Sequence, residues 1–474
     1  MTQYERYAQD IAGLIHSGSL RVGDRLPSVR AASRSRRISA STVFEAYYLL
    51  ESQGLVQARP RSGYYVSARA LPDLRAPDPA APARQAADVE ISDLVLEILN
   101  LARREAVVPL GSAFPDPALF PLARLARSLA SSMRRLQPQH LLQDLSAGHA
   151  RLRQQIAQRY AQDGLTIGVE ELVVTNGAME ALNLCLQAVT EPGDLVAIET
   201  PTFYAALQAL ERLKLRPLEI ATDPVQGMDP EALAAVLAEH PVKACWLMSS
   251  FQNPMGHSMP EGRKRAVAEL LARHRVPLIE DDVYGELYFG ARKPLPVKAF
   301  DRQGLVLHCA SFSKCLAPGY RVGWAAAGAY TRRVERLKLM SSLSASVPSQ
   351  LALSDYLGQG GYDLHLRRLR QTLERQRDVM LEALVQTFPA GTRMTQPEGG
   401  CFIWVELPEG MDALQLLRQA LDQGVSLMPG QLFSADRRFS RFVRLNYAAA
   451  PAPAVREATR VLGRLVGDGP LLSN

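Results

Sequence analysis

The sequence predicts an α/β body built on a mostly parallel sheet, preceded by a small module of three helices closed by a β-hairpin. Three observations carry that reading. Apolar residues recur at helical spacing three times before residue 53, and two short β-like runs follow them. A Pro/Ala-rich stretch without periodicity, SARALPDLRAPDPAAPARQAAD, runs from Ser67 to about Asp88. Beyond it, strand-like apolar runs alternate with helix-like segments. At 474 residues the chain is too long for one ordinary domain. The predicted division is a module at 1–66, a linker at 67–90 and a body at 91–474.

In the module, Tyr7, Ile11, Leu14 and Ile15 give a first helix from Tyr4 to Ser17, which Gly18 closes. A turn at Val22-Gly23-Asp24 leads to a second helix from about Ser28 to Ser35. A third spans about Ser39 to Ser52, with Val43, Ala46, Tyr47 and Leu50 on one face, and Gly54 ends it. Leu55-Val56 and Tyr64-Tyr65-Val66 read as strands around the turn Arg59 to Gly63. This order is that of a winged helix-turn-helix. In that geometry the third helix offers its first turn to the major groove, so Ser39, Ser41 and Thr42 fall where base edges and phosphates lie. Taken singly, Ser28 and Ser39 are more often helix caps than DNA contacts. Residues 1–66 hold nine Arg, no Lys and five acidic residues, 9 − 5 = +4 of the chain's net +6, which suits a phosphate-backbone partner.

The segments GDRLPSVR, STVFEAYYLLESQGLV and RSGYYV closely resemble the GntR-type regulators. The resemblance implies DNA contacts from Arg25, Ser28 and Arg30 and from a wing tip formed by Arg61, Ser62 and Gly63. That family often has Arg after the first Ser of the third helix, where this chain has Ala40.

In the body, apolar runs at Leu172–Thr175, Leu195–Ile198, Ala244–Met248, Val276–Ile279, Leu305–His308 and Val322–Ala327 are the expected strands. Helices are expected from about Met179 and over Phe203–Arg212. Ligands of such sheets belong at the carboxyl ends of the strands. The stretch Ser311-Phe312-Ser313-Lys314-Cys315-Leu316-Ala317-Pro318-Gly319-Tyr320-Arg321-Val322-Gly323 follows one of these runs. An amine, two hydroxyls and a guanidinium so close together suit a phosphorylated aldehyde, the amine forming an imine and the others binding phosphate. Thr175-Asn176-Gly177-Ala178-Met179 joins a strand to a helix start, where free backbone N–H groups receive phosphate.

The pattern SFSKxLxPGxRxGW resembles the fold-type I pyridoxal phosphate (PLP) enzymes of the aminotransferase class I/II group. The resemblance implies a smaller C-terminal α+β subdomain and a set of roles. Lys314 carries the cofactor; Gly177, Ala178, Met179, Ser311, Ser313 and Arg321 surround its phosphate; Phe203, rather than Tyr204, stacks on its ring. Asn253 and Tyr284 reach its phenolic oxygen, and Asp281 pairs with the ring nitrogen, with Asp282 a helix cap or surface acid and the alternative partner of that nitrogen. Arg444 is the fork for a substrate carboxylate, with a structural ion pair as its alternative.

Five scattered cysteines form no CxxC pair and no zinc-ligand spacing, the amino terminus MTQYERYAQD is polar, and no apolar run reaches membrane-spanning length. A reducing, cytoplasmic setting is expected, with neither metal nor membrane. Module, linker and body together resemble the MocR-type regulators. That implies promoter DNA as partner, a homodimer formed through the body, and a PLP domain that senses the cofactor or an amine or amino acid effector. The competing reading is an active aminotransferase with an attached DNA-binding module, since Lys314, Asp281, Tyr284 and Arg444 are all present.

Overall fold

A computed structural model describes residues 2–16, 19–20, 23–59, 62–67, 75–82, 86, 89–101, 107–138 and 146–467. In the module, helix α1 (Gln3–His16) buries Tyr7, Ala8, Ile11 and Ile15. Leu14, expected on that face, is 40% exposed, because the buried stripe runs through positions 7, 8, 11 and 15. Ser17, Gly18, Val22 and Arg61 lie outside the described residues. Helix α2 (Val29–Arg36) starts at Ser28, whose hydroxyl accepts from Ala31 N. Helix α3 (Ala40–Ser52) starts at Ser39 and buries Val43, Ala46, Tyr47 and Leu50. Tyr47 donates to Pro27 O at 2.8 Å, tying α3 to the start of α2. Strands β1 (Val56–Arg59) and β2 (Gly63–Val66) pair antiparallel, Val56 opposite Val66, as the wing.

In the body, β3 (Val108–Pro109) pairs with Val425–Ser426 and so attaches the start of the body to its far end. The large sheet uses β4 (Leu172–Thr175), β5 (Leu195–Thr200), β6 (Arg216–Asp223), β7 (Gly227–Met228), β8 (Val242–Leu247), β9 (Leu278–Asp281), β10 (Val306–Ser311) and β11 (Gly323–Ala326). Their order is β4-β11-β10-β9-β8-β5-β6-β7. The run β6-β5-β8-β9-β10 is parallel throughout, while β11 lies antiparallel between β10 and β4, and β7 antiparallel on β6. The central strands β5, β9 and β10 are buried on both faces, as helix-covered parallel strands require. A second sheet, Arg393–Met394, Phe402–Glu406, Phe442–Asn446 and Met428–Pro429, carries helices Ala413–Asp422 and Ala452–Gly467. This is the smaller α+β subdomain. It brings Arg444 over the carboxyl ends of the parallel strands.

Candidate cofactor and effector site

The site assembles where strands β4, β9 and β10 end. After β4, Gly177 takes φ +87 as N-cap of helix Ala178–Val189, a backbone state that glycine adopts without strain. The first N–H groups of such a helix have no partner within it and point outward with the positive dipole end. A Cβ built at Gly177 would collide with the Arg321 guanidinium, so glycine is what lets that side chain lie against the turn. Arg321 donates to Ser313 Oγ and to Asn176 O, both at 3.3 Å. Ser311, the last residue of β10, accepts from Ser313 N at 3.3 Å. Guanidinium, two buried hydroxyls and the helix start thus share one corner, with Ala178 and Met179 opening the helix.

Lys314 lies across the strand ends from that corner. Its Nζ donates to Ala113 O at 2.8 Å and stands 3.4 Å from the Phe114 ring centroid and 5.7 Å from that of Tyr284. Tyr284 is buried, packs edge-on against Phe402 and donates to Ala113 O at 3.3 Å. Asp281 ends β9 beside Cys309 of β10 and is 1% exposed. Phe203 caps helix Tyr204–Leu213, half-buried, its ring 4.7 Å from that of Tyr204. Asn253 is fully buried. It accepts from Arg444 Nη1 at 2.8 Å, while Arg444 Nη2 donates to Gly111 O at 2.6 Å and Ser112 O at 3.3 Å. Arg444 therefore has no carboxylate partner among the described residues; the structural ion pair is absent, and the Phe402 ring lies 4.3 Å from its guanidinium carbon.

Two buried polar atoms, Asp281 Oδ1 and Asn253 Nδ2, have no hydrogen-bond partner among the described residues, and Arg444 Nε is a third. Each such group costs about 1–3 kcal/mol when left unpaired, so their convergence around Lys314 is a cradle for a polar ligand. It matches the donor and acceptor pattern of PLP: an acceptor for a protonated ring nitrogen, a donor for a phenolic oxygen and an anion corner for phosphate. Burial pushes Asp281 up to about 7 and Lys314 down to about 7. The neutral, nucleophilic amine therefore predominates above about pH 7, where an exposed lysine would still be almost wholly protonated. Uptake of PLP by apoprotein is expected to accelerate up to about pH 7 and level off by about pH 8, read by stopped-flow absorbance. A rate still climbing tenfold per unit toward pH 10 would contradict the lowered Lys314.

Sequence reading missed two parts of this site. One is the strap Gly111 to Phe114, whose carbonyls accept from Arg444, Lys314, Tyr284 and Asn446. The other corrects Asp282, which is neither cap nor surface acid but 8% exposed. Trp324 Nε1 donates to Tyr160 OH at 2.9 Å, Tyr160 OH lies 2.7 Å from His308 Nδ1, and His308 Nε2 lies 3.1 Å from Asp282 Oδ2. Indole is donor only, which fixes the first bond; the Tyr160–His308 bond can run either way, because a phenolic oxygen that accepts from Trp324 still has both a proton and a lone pair to offer.

In the module, Arg25 and Arg30 are exposed, and Arg25 lies against the wing, a Cβ at Gly63 standing 3.5 Å from its Nε. Ser62 Oγ and Tyr65 OH are 2.6 Å apart across the wing. Ser39 Oγ accepts from Thr42 N at 3.0 Å and lies 2.8 Å from both Ser41 Oγ and Thr42 Oγ1. Ser28 and Ser39 are thus caps, positioned at the same helix starts that the DNA reading uses.

Sequence comparison gives the two halves their families. The pattern of the bacterial regulatory proteins of the gntR family matches residues 3–66, and that of aminotransferase class I and II matches residues 118–462. The chain is 48% identical to the uncharacterized HTH-type transcriptional regulator YdcR of Escherichia coli (strain K12), over 99% of this chain and 100% of that one. The chain belongs to the MocR-type regulators. In this MocR-type chain the body is 32% identical to aromatic-amino-acid aminotransferase 1 of Thermococcus litoralis, over 79% of the chain and 91% of that protein. Its fold matches the Pyrococcus horikoshii kynurenine aminotransferase, solved with PMP, at a TM-score of 0.74 and 32% identity, covering 79% of this chain and 94% of that one. The protein is thus a GntR-type transcriptional regulator with an aminotransferase-like, PLP-binding body.

Proposed function

We propose that this regulator reads an amine or amino acid effector through PLP held at Lys314 and transmits the event to its DNA-binding module. The observation that carries the reading is the pair of unpartnered buried atoms, Asp281 Oδ1 and Asn253 Nδ2, in the site that holds Lys314 and Arg444. Bound PLP supplies an electrophilic carbon that captures amines and a ring that withdraws electrons. Asp281 would hold the ring nitrogen protonated, Asn253 and Tyr284 would fix the phenolic oxygen, and Phe203 would cover one ring face. Gly177, Ala178, Met179, Ser311, Ser313 and Arg321 would bind the phosphate. Arg444 would take an effector carboxylate, exchanging Gly111 O for it. An effector amine that took the place of Lys314 would return it to the free amine, the state in which its Nζ donates to Ala113 O. The strap then has two reasons to move, which gives the effector a differential affinity for two states.

We propose a homodimer formed through the body. The exposed Leu339, Met340 and Leu343 make an apolar patch, and Asn176 at the phosphate corner donates to the neighbouring Ser344 O. Light scattering on the PLP-bound protein is expected to give twice 52.0 kDa at micromolar concentration; a monomer would contradict the assembly. The cytoplasm, where DNA is available, is the compartment this function needs; all five cysteines are free thiols and buried.

DNA binding is tested with duplexes selected from a random library. Arg30→Ala is expected to weaken binding and lower the slope of log K against log salt by about one, the signature of one lost phosphate contact. Unchanged affinity and slope would remove Arg30 from the interface.

A further inference from the structure

We infer that Phe44 is a specificity-determining residue of the regulator that packs against a thymine methyl group in the major groove. The inference rests on the DNA-binding reading and adds the chemistry of the base that α3 selects. The buried face of α3 is Val43, Ala46, Tyr47 and Leu50; the opposite face, at positions 40, 41, 44, 45 and 48, is Ala40, Ser41, Phe44, Glu45 and Tyr48, all exposed. Phe44 is 55% and Tyr48 66% exposed, two large aromatic side chains one turn apart on a helix whose other face already fills the module core. Phe44 lies five residues past Ser39, a rise of about 7.5 Å, so it stands one turn beyond the helix start that the winged-helix geometry offers to the major groove.

The composition of the face limits what it can read. Helix α3, ASTVFEAYYLLES, has no Lys or Arg, so it offers no cationic fork to guanine O6 and N7. The hydroxyls of Ser39, Ser41 and Thr42 are engaged with one another and with Thr42 N. Glu45 is an acceptor-only group that disfavours the guanine edge beside it. Glu45 has cytosine N4 as its partner edge; the other side chain of the second turn is the Phe44 ring, and the thymine C5-methyl is the one apolar group that the major groove presents. Tyr48, a turn further on, extends the same surface toward the groove edge, where its hydroxyl meets phosphate.

The test uses the full chain with PLP bound. Duplexes are selected from a random library, and each thymine of the selected site is then replaced by uracil, which removes only the methyl group. Wild-type protein is expected to lose about fourfold in affinity at one or two thymines of each half-site, the worth of one buried methyl. Phe44→Ala is expected to bind more weakly and to treat thymine and uracil alike; Phe44→Leu, which keeps an apolar contact, retains part of the discrimination. Because Phe44 is exposed, neither variant disturbs the module core. A selected site at which uracil is neutral, or discrimination unchanged in Phe44→Ala, overturns the inference while leaving DNA binding intact. Loss of dimer mass in Phe44→Ala with the uracil effect absent also overturns it and gives this face to a second copy of the chain. Failure to enrich any sequence would instead strike the DNA-binding reading beneath it.

Discussion

Borohydride reduction of the PLP-bound protein is expected to fix the cofactor on the single peptide that carries Lys314, and Lys314→Ala to abolish covalent attachment. Four other lysines that are buried or half-buried have commitments that the site does not offer. Lys264 donates to Ser250 and Leu295, Lys298 to Asp301 and Val306, Lys293 to Asp163 and Glu286, and Lys338 to Ser146. Lys314 alone among them faces Tyr284 and the Asp281 end of β9, and burial brings its pKa down to about 7, so its amine is available as a nucleophile. Removing it leaves Ala113 O one donor short while the Tyr284 hydroxyl still reaches it, so the fold is expected to survive with at most about 1–3 kcal/mol lost. The variant keeps the phosphate corner of Arg321, Ser311 and Ser313, and is expected to bind PLP reversibly and to lose it on dialysis. Mass spectrometry after reduction, with far-UV circular dichroism as the control for folding, reads both outcomes. Trapping on any other lysine would sink the assignment.

The parts of this molecule that sequence reading reached are those encoded locally. Ser311, Ser313, Lys314 and Arg321 fall within eleven residues on one strand end and the turn after it, and Asp281 and Tyr284 within four, so chemistry and spacing are visible together. The buried stripe of α3 follows from its period. An apolar run carries no direction, however, so β11, which is antiparallel between β10 and β4, reads in the sequence like its parallel neighbours. The strap at Gly111 and the Trp324–Tyr160–His308–Asp282 chain join residues more than 140 positions apart or on different elements, through side chains that leave no periodic trace. For the strap a signal existed: Gly111, Pro115 and Pro117 crowd one short segment between apolar runs. A Cβ at Gly111 would collide with Leu427 O, a close approach that only the fold discloses. Asp282 reads in the sequence as a helix cap or surface acid because its partner, His308, belongs to the next strand of the sheet and not to its own.

Arg444→Ala is expected to leave PLP bound and to remove the protein's preference for amino acids over amines that lack a carboxylate. The guanidinium is fully buried, and among the described residues its acceptors are neutral oxygens, Asn253 Oδ1, Gly111 O and Ser112 O. A carboxylate brought to the same fork replaces neutral acceptors by a charged one in a water-poor site, where breaking such a pair typically costs about 2–5 kcal/mol. An amino acid should therefore shift the PLP spectrum of the wild type at concentrations at least about thirtyfold below those of the matched amine. In Arg444→Ala the two ligands should act at similar concentrations, and Arg444→Lys, which keeps charge without the fork, should fall between. Thermal melts separate this loss from a general destabilisation, since the deleted guanidinium leaves Asn253 Oδ1 and Gly111 O without their donor. The same titrations, scored for affinity to a selected duplex and for keto acid product, divide sensor from enzyme. A sensor needs only a ligand that binds two conformations unequally, so duplex affinity should track the spectral change while product forms slowly or not at all. If Arg444→Ala retained the amino acid preference, the carboxylate site would lie elsewhere. If wild-type protein turned over rapidly while duplex affinity ignored PLP, effector and Lys314→Ala alike, the body would be a working aminotransferase and the sensing role would fall.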